Sequence, residues 1–255
     1  MQNEKGRASM IEVGFKSDKG LKRKNNEDAF FVIQEENVFI VADGVGGNNS
    51  GEIASRTTIS KIAEYIRKNT PDKNFTQDDV KSYFARCIEK VNREIYELSA
   101  MQSENSGMAT TVTIAYITGS EAYVINVGDS RAYLYRERIL TQITEDHTYV
   151  NALIRKGVIT KEEAQFHEKK NVITKAIGGE EFTSPDFFRV PVIPDDIVIL
   201  CTDGLHGEIG DDVICGILAD GESMPETCLR LVDKVNQCGG SDNVTVICLK
   251  IKGDC

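Results

Sequence analysis

The sequence predicts an α+β fold with a central antiparallel β-sandwich between two helix pairs, an α-β-β-α stack of four layers. Three observations favour this fold. Two amphipathic helical patterns precede a block of short strand-like runs, and two further helical patterns precede the last run. The runs are rich in β-branched residues and are joined by tight turns, which favours antiparallel pairing. A helical insertion over residues 144–181 interrupts the strands.

Length and composition indicate one large domain. The 255 residues, 40% of them hydrophobic, can bury a substantial core. We assign residues 10–255 to this domain, including the insertion. Residues 1–9 are polar and predict a disordered tail, or an expression leader ahead of a native start at Met10.

Charge and cysteine content exclude several classes of function. The net charge of −10 argues against nucleic acid or an anionic membrane as a partner. No apolar run approaches the roughly 18 residues of a membrane span, and the polar N-terminus lacks the pattern of a signal peptide. Seven cysteines without a C-x-x-C pattern favour reduced thiols in the cytoplasm over a disulfide framework or a zinc site.

The individual elements follow from local patterns along the chain. Apolar or alternating runs predict strands at 11–15, 29–33, 38–42, 111–117, 122–127, 131–135, 139–143, 197–201 and 244–251. Three-four spacing of apolar residues predicts helices at 51–68, 80–98, 146–156, 161–167, 209–218 and 225–235. Thr76 to Asp79 resembles a capping box for the second helix. Residues 109–143 predict a β-meander, and residues 103–107 predict a linker loop.

Acidic residues lie at five strand boundaries, each beside glycine or other turn-forming residues. They are Glu27 with Asp28, Asp43, Asp129, Asp203 and Asp242. If the strands stack into sheets, several of these acids can converge at one edge, where clustered like charges need a cation to neutralise them. Hard divalent ions such as Mg²⁺ and Mn²⁺ suit an all-oxygen site. Taken singly, each acid is explained as a turn residue, and Asp129 as a partner of Arg131.

The motifs around these acids carry a resemblance to a known family. They are Arg23–Asp28, Val41–Gly47, Ala109–Thr111, Val127–Arg131, Thr144–His147, Gly157–Thr160 with Glu163 and Ala164, Cys201–Leu205, and Gly239–Asn243. In this order and spacing, the chain resembles the metal-dependent type 2C Ser/Thr protein phosphatases, most of all the compact bacterial members. The resemblance spans the chain from about residue 10 to about residue 252.

This resemblance implies an enzyme that hydrolyses phosphoserine and phosphothreonine in proteins. A metal-bridging hydroxide would attack the phosphorus directly, without a phospho-enzyme. Two Mn²⁺ or Mg²⁺ ions are implied, with a third in bacterial relatives. The implied partners are phosphorylated protein substrates and a cognate Ser/Thr kinase, and we expect a cytoplasmic monomer. The insertion at 144–181 corresponds to a mobile flap beside the metal site.

The family pattern also assigns the principal metal ligands. Asp43 would bridge the two metals. Asp203 and Asp242 would complete one metal site, and the Gly44 carbonyl would complete the other. Gly44 is also the residue type that lets another group approach its carbonyl closely.

Three further residues receive roles from the same pattern. Asp28 would act on a metal through water, and Asp129 would hold the third ion together with Asp203. Arg23 would bind the substrate phosphate, because an arginine fork can hold phosphate bidentately. Ser130 and Arg131 would brace the site without reacting.

Several positions depart from the family pattern. Val45 and Asn48 stand where relatives have histidines, Gly207 stands in place of an acid, and Glu168 stands in place of a proline. His147 and His206 are the remaining candidates for proton transfer. The simpler interpretation makes both of them exposed loop histidines.

Other functions stay open or can be excluded. A phosphopeptide-binding pseudo-enzyme could share this fold, although Arg23 and the acids argue against it. A phosphatase that acts on one phosphoserine regulator of transcription would carry almost the same acids. A calcineurin-like site needs more histidine ligands than the three histidines here provide. The chain has neither a G-x-x-x-x-G-K-[ST] loop nor a G-x-G-x-x-G motif, so kinase and nucleotide-binding functions lack support.

Overall fold

The computed structural model describes residues 11–46, 50–72, 74–101 and 107–253. The predicted tail at 1–9, Asn48 and most of the predicted linker at 103–107 lie outside these ranges. Within the described residues, no helix is long and apolar enough to cross a membrane.

The described chain forms eleven strands and seven α-helices. The strands are β1 Ile11–Asp18, β2 Asp28–Ile33, β3 Val38–Val45, β4 Ala109–Thr110, β5 Val112–Thr118, β6 Glu121–Val127, β7 Arg131–Arg136, β8 Ile139–Gln142, β9 Asp186–Pro191, β10 Ile197–Cys201 and β11 Val244–Ile251. The helices are α1 Ser50–Lys68, α2 Gln77–Met101, α3 Tyr149–Arg155, α4 Lys161–Gln165, α5 Asp203–His206, α6 Asp211–Ala219 and α7 Met224–Cys238.

Two antiparallel sheets pack face to face between helices, which confirms the predicted four-layer sandwich. One sheet has the strand order β1-β11-β10-β7-β8, and the other has the order β2-β3-β5-β6-β9, with β4 paired to β3. Helices α1 and α2 cover the second sheet, and α6 and α7 cover the first. A third apolar cluster fills the space between the sheets.

Strand β3 shows how alternation in the sequence builds these layers. Val38, Ile40 and Ala42 pack in the cluster under α1 and α2, whereas Phe39 and Val41 pack in the cluster between the sheets. Successive side chains of a strand point to opposite faces. Both faces of β3 are therefore buried, so its sequence is a continuous apolar run.

The predicted cap of the second helix agrees with the structure, and two further helices are capped as well. The Thr76 amide donates to the Asp79 carboxylate over 2.9 Å, and the Asp79 amide donates back to Thr76 Oγ1 over 3.3 Å. In the insertion, Thr160 and Glu163 form a complete capping box before α4. Thr148 caps α3, so this helix begins at Tyr149 and not at residue 146 as predicted.

The predicted β-meander over 109–143 is wrong. Strands β5 and β6 form a hairpin in one sheet, while β7 and β8 form a hairpin in the other. The chain crosses between the sheets at Gly128, whose φ of +110° favours glycine. Local periodicity cannot distinguish a turn within one sheet from a crossing between two sheets.

Strand β9 was missing from the prediction. It pairs with β6 at the edge of the second sheet, and it ends at Pro191. An edge strand tolerates proline because one side of its backbone needs no ladder hydrogen bonds. Pro185, Pro191 and Pro194 lie within or next to this short segment.

Gly14 on β1 allows close packing with α7. A β-carbon at this position would lie 2.1 Å from the backbone carbon of Met224. We expect Gly14→Ala to lower the free energy of unfolding by about 2–4 kcal/mol, because backbone cannot yield to the added methyl group. Urea unfolding followed by circular dichroism measures this change.

Gly216 provides the matched control. It lies in α6, and a β-carbon there would meet nothing within 4 Å. Gly216→Ala should stabilise the protein by up to about 1 kcal/mol through helix propensity. Equal effects of the two substitutions would contradict the packing argument.

Candidate metal centre

The candidate site lies where the inter-sheet core opens to solvent. Phe39 and Val41 of β3 face this core, and the same alternation brings Asp43 to the same face. On the neighbouring strand β2, Asp28 is the direct register partner of Asp43. The polar end of an apolar interface thus carries two adjacent carboxylates.

Asp43 does not end its strand as predicted. Strand β3 continues to Val45, but it leaves β5 after Val41 and pairs with β4 at Gly44 and Val45. Thr111 satisfies the Asp43 backbone where β3 changes from one neighbouring strand to the other. Its Oγ1 accepts from the Asp43 amide over 2.9 Å, and its own amide donates to the Asp43 carbonyl. The backbone of Asp43 is therefore held on both sides.

The opposite sheet brings further groups to the same place. Thr202 follows β10, and its hydroxyl donates to the Asp28 carboxylate over 2.8 Å across the gap between the sheets. Asp203 comes next and begins α5. Asp129 lies in the crossing between β6 and β7, and only 6% of its surface is exposed.

Burial and mutual repulsion dominate the electrostatics of these acids. Burial, together with the charges of the nearby Asp203 and Asp242, raises the pKa of Asp28 to about 7. Burial likewise raises the pKa of Asp129 to about 7. The pKa of Asp43 is raised well above its usual value by burial and then by its carboxylate neighbours, Asp28 first.

The donor set fits a divalent cation. Asp28 Oδ1 and Asp129 Oδ1 are buried, and neither has a hydrogen-bond partner among the described residues. A cation would satisfy these oxygens and remove the cost of gathering like charges. Within the described ranges, no three Asp, Glu, His or Cys side chains already form a metal-binding group. Hard cations also accept backbone carbonyls and water as ligands.

Gly44 follows Asp43, and its backbone packs closely against the start of α1. A β-carbon at this residue would lie 2.0 Å from the Gly51 carbonyl oxygen, so only glycine fits between β3 and α1. The Gly44 amide donates to the Glu27 carbonyl over 3.1 Å. Its position beside Asp43 is thus fixed by packing and by the β2–β3 ladder.

Asn243 joins the last acid to the loop before β2. Its side chain donates to the Lys19 and Asn25 carbonyls, each over 2.9 Å, and accepts from the Glu27 amide over 2.8 Å. Only 4% of Asn243 is exposed. The sequence prediction gave no role to this residue, although a buried amide with all its groups satisfied sets the position of Asp242 beside it.

Arg23 lies at the mouth of the site. Its Nη2 is 2.6 Å from the Asp242 carboxylate, and 51% of its side chain is exposed. The Asn243 hydrogen bonds to the loop at 19–25 hold this segment against Asp242. The structure thus brings Arg23 together with the predicted ligands.

Arg131 pairs with Asp146, so the simpler interpretation of Asp129 as its partner is wrong. The guanidinium donates from Nε and Nη2 to the Asp146 carboxylate over 2.9 and 2.7 Å. Ser130 shares a 2.7 Å hydrogen bond with Thr111, which in turn holds Asp43. These contacts agree with a bracing role for Ser130 and Arg131.

His147 and His206 are not exposed loop residues, which corrects the simpler interpretation. Only 10% of the His147 side chain is exposed; its Nδ1 accepts from the Gly128 amide over 3.0 Å, and its Nε2 lies 3.3 Å from Asp186. His206 Nε2 lies 3.1 Å from the Asp129 carbonyl oxygen. Burial lowers the pKa of His206 to about 4 and also lowers the pKa of His147.

A cleft of about 1300 Å³ opens beside the acids. Asp129, Asp203 and Asp242 lie on one side, and the inserted helices α3 and α4 supply the other wall. The predicted flap therefore borders the site. The cleft is open to solvent and can admit a segment of another protein.

Comparison with known proteins matches the same region. A family model described as protein phosphatase 2C matches residues 21–242. The chain is 34% identical over 236 residues to the serine/threonine phosphatase stp of Listeria monocytogenes, an alignment that covers 91% of this chain and 93% of the relative.

Solved structures are similar across the whole fold. The serine/threonine phosphatase Stp1 from Staphylococcus aureus superposes with a TM-score of 0.89 at 31% identity, covering 99% of this chain and 100% of that one. The catalytic domain of the phosphatase PstP, described in complex with two manganese ions, gives a TM-score of 0.82 at 31% identity. That alignment covers 95% of this chain and 99% of the PstP chain.

The raised pKa of Asp28 predicts how pH affects the metal-free protein. Because this pKa rises from 3.8 to about 7 on folding, the folded state holds a proton that the unfolded state releases. This contribution to stability is complete below pH 4 and is lost as pH rises through 7. Asp28→Asn should remove that loss and stabilise the metal-free protein by about 2–4 kcal/mol at pH 7.5.

Urea unfolding in EDTA at pH 5.0 and pH 7.5 tests this expectation. The difference in free energy of unfolding between Asp28→Asn and the unchanged protein should be larger at pH 7.5. A difference independent of pH, or a variant that is less stable at pH 7.5, would contradict the electrostatic account.

Proposed function

We propose a function from the premise that this chain belongs to the protein phosphatase 2C family. The protein is a protein-serine/threonine phosphatase that hydrolyses phosphoserine and phosphothreonine side chains with the help of divalent metal ions. One observation carries the proposal: Asp28, Asp43, Asp203 and Asp242 converge with Arg23 at the opening of the inter-sheet core.

The metal ligands are proposed from the same residues. Asp43 is suited to bridge two ions because it is central among the acids: the charges of Asp28, Asp203 and Asp129 all raise its pKa. Asp203 and Asp242 would complete one site, and the Gly44 carbonyl the other. Bound Mn²⁺ or Mg²⁺ supplies positive charge and makes a coordinated water a strong nucleophile near neutral pH.

The remaining acids support these positions. Asp28 faces Asp43 across the β2–β3 ladder and would act on a metal through water. Asp129, buried and with one oxygen unsatisfied, would hold a third ion together with Asp203. Direct attack of water on the phosphorus needs no phospho-enzyme, so no side chain is required as a nucleophile.

Arg23 is suited to hold the substrate phosphate. Its half-exposed guanidinium is oriented over 2.6 Å by Asp242, which lines the cleft. Charge-assisted hydrogen bonds from an arginine fork bind phosphate oxygens in a fixed geometry. The phosphate would thereby be placed next to the acids that hold the metals.

The biological setting follows as part of the proposal. Phosphorylated proteins are the substrates, and a cognate Ser/Thr kinase supplies them. Residues 10–255 would form the catalytic domain, acting as a cytoplasmic monomer, with the flap at 144–181 bordering the bound substrate. The cleft between the flap and the acids has room for a peptide segment.

The decisive prediction concerns metal-dependent turnover. Metal-stripped protein should hydrolyse a phosphothreonine peptide only when Mn²⁺ is added. Asp43→Asn and Asp242→Asn should each lower kcat/KM by at least about 100-fold, because they remove ligands of the ions that stabilise the transition state. Phosphate release measures the rate, and circular dichroism checks that each variant folds.

Asp212→Asn is the matched control, since Asp212 is an exposed acid on the wall of the same cleft. It should retain activity within about twofold of the unchanged protein. No turnover by folded protein at millimolar Mn²⁺ would contradict the proposed activity and would favour a phosphopeptide-binding module.

Substitution of Arg23 tests its role in phosphate binding. Arg23→Ala should raise KM about tenfold with a smaller change in kcat, because the contact forms in the ground state as well as in the transition state. Arg23→Lys keeps the charge without the fork, so its KM should lie between those of the unchanged protein and Arg23→Ala. A fall in kcat alone would show that the assigned role is wrong.

A further inference from the structure

The loop that carries Asp242 has little regular structure to hold it. It runs from Gly239 to Asn243, between the end of α7 and the start of β11. Gly239 and Gly240 have φ values of +142° and +51°. Glycine adopts these conformations readily, and the Gly240 carbonyl accepts from the Leu21 amide over 2.8 Å, which holds the first part of the loop.

Asn243 constrains one side of this loop, and Glu208 contacts the other. Glu208 follows α5, and its amide donates to the Leu205 carbonyl over 3.3 Å. Its carboxylate oxygen Oε1 accepts from the Ser241 amide over 3.0 Å and also from the Ser241 hydroxyl. Hydrogen bonds to an ionised carboxylate are stronger than those between neutral groups.

The second carboxylate oxygen of Glu208 reaches the start of the loop. A β-carbon at Gly239 would lie 3.5 Å from Oε2. The side chain thus lies along the loop from Gly239 to Ser241, the residue directly before Asp242. Movement of Ser241 would displace the Asp242 carboxylate and, through it, Arg23.

Glu208 connects two of the proposed ligands. Asp203 begins α5, and the Gly207 amide that precedes Glu208 donates to the Asp203 carbonyl over 2.7 Å. One short segment therefore carries Asp203 and holds the loop of Asp242.

We propose that Glu208 is a positioning residue that holds Asp242 at the correct distance from Asp203 for a shared divalent metal ion. The proposal rests on the proposed function, since it assumes that these two acids bind one ion. Glu208 does not touch the ion in this account. It acts through Ser241, as partners of metal ligands commonly do.

Binding of Mn²⁺ alone tests the proposal without any substrate. Isothermal titration calorimetry of metal-stripped protein should give a dissociation constant about tenfold weaker for Glu208→Ala. Glu208→Gln should restore most of the affinity, because its amide oxygen can accept from both Ser241 donors. Activity that Glu208→Ala loses at low Mn²⁺ should return at high Mn²⁺.

Two variants separate positioning from other effects. Asp211→Asn removes the same charge from the same cleft wall and should change the affinity less than twofold. Ser241→Ala removes only the hydroxyl donor and should weaken binding about threefold, so it decides the question if Glu208→Ala does not fold. Thermal unfolding in EDTA checks the fold of each variant.

The outcomes differ clearly. Unchanged Mn²⁺ affinity in Glu208→Ala would overturn the positioning role. Equal losses in Glu208→Ala, Glu208→Gln and Asp211→Asn would also overturn it and assign the effect to charge alone. Failure of the unchanged protein to bind Mn²⁺ would overturn the proposed metal site itself, and the role of Glu208 with it.

Discussion

The burial of several carboxylates close to one another is the constraint on which this structure depends. Asp28 exposes only 4% of its surface and Asp129 only 6%, and burial is the main cause that raises both pKa values to about 7. Asp43 experiences the charges of its neighbours as well. Folding therefore builds a site that is unfavourable when it is metal-free and ionised, and a bound cation would offset that cost.

The scaffold holds these charges together through backbone register and short hydrogen bonds. The β2–β3 ladder places Asp28 opposite Asp43, and Thr202 reaches Asp28 from the other sheet. Asn243 links the loop of Arg23 to the loop of Asp242. Glu208, which follows α5, contacts the loop of Asp242 at Ser241. Thr202 and Asn243 are neutral and hold the acids without adding negative charge, whereas Glu208 contacts Ser241 and not the acids themselves.

Errors in the predicted topology have a common cause. The meander over 109–143 was wrong because the strand pattern before and after Gly128 is the same whether or not the chain changes sheets. Strand β9 was not predicted because its run is short, lies at a sheet edge and ends in proline. The pairing of Arg131 with Asp146 joins residues 15 positions apart, beyond any local pattern.

The sequence by itself predicted the layers, six of the seven helices in the described residues and the identity of the clustered acids, because alternation and three-four spacing are local properties that follow from backbone geometry. The short helix α5 was not predicted. Family motifs also indicated Arg23 and Gly44. Only the tertiary structure decided which acids meet, since the distance between Asp28 and Thr202 depends on how two sheets stack. It also decided the burial of His147 and His206 and the contact of Glu208 with Ser241, because these depend on packing between segments distant in the chain.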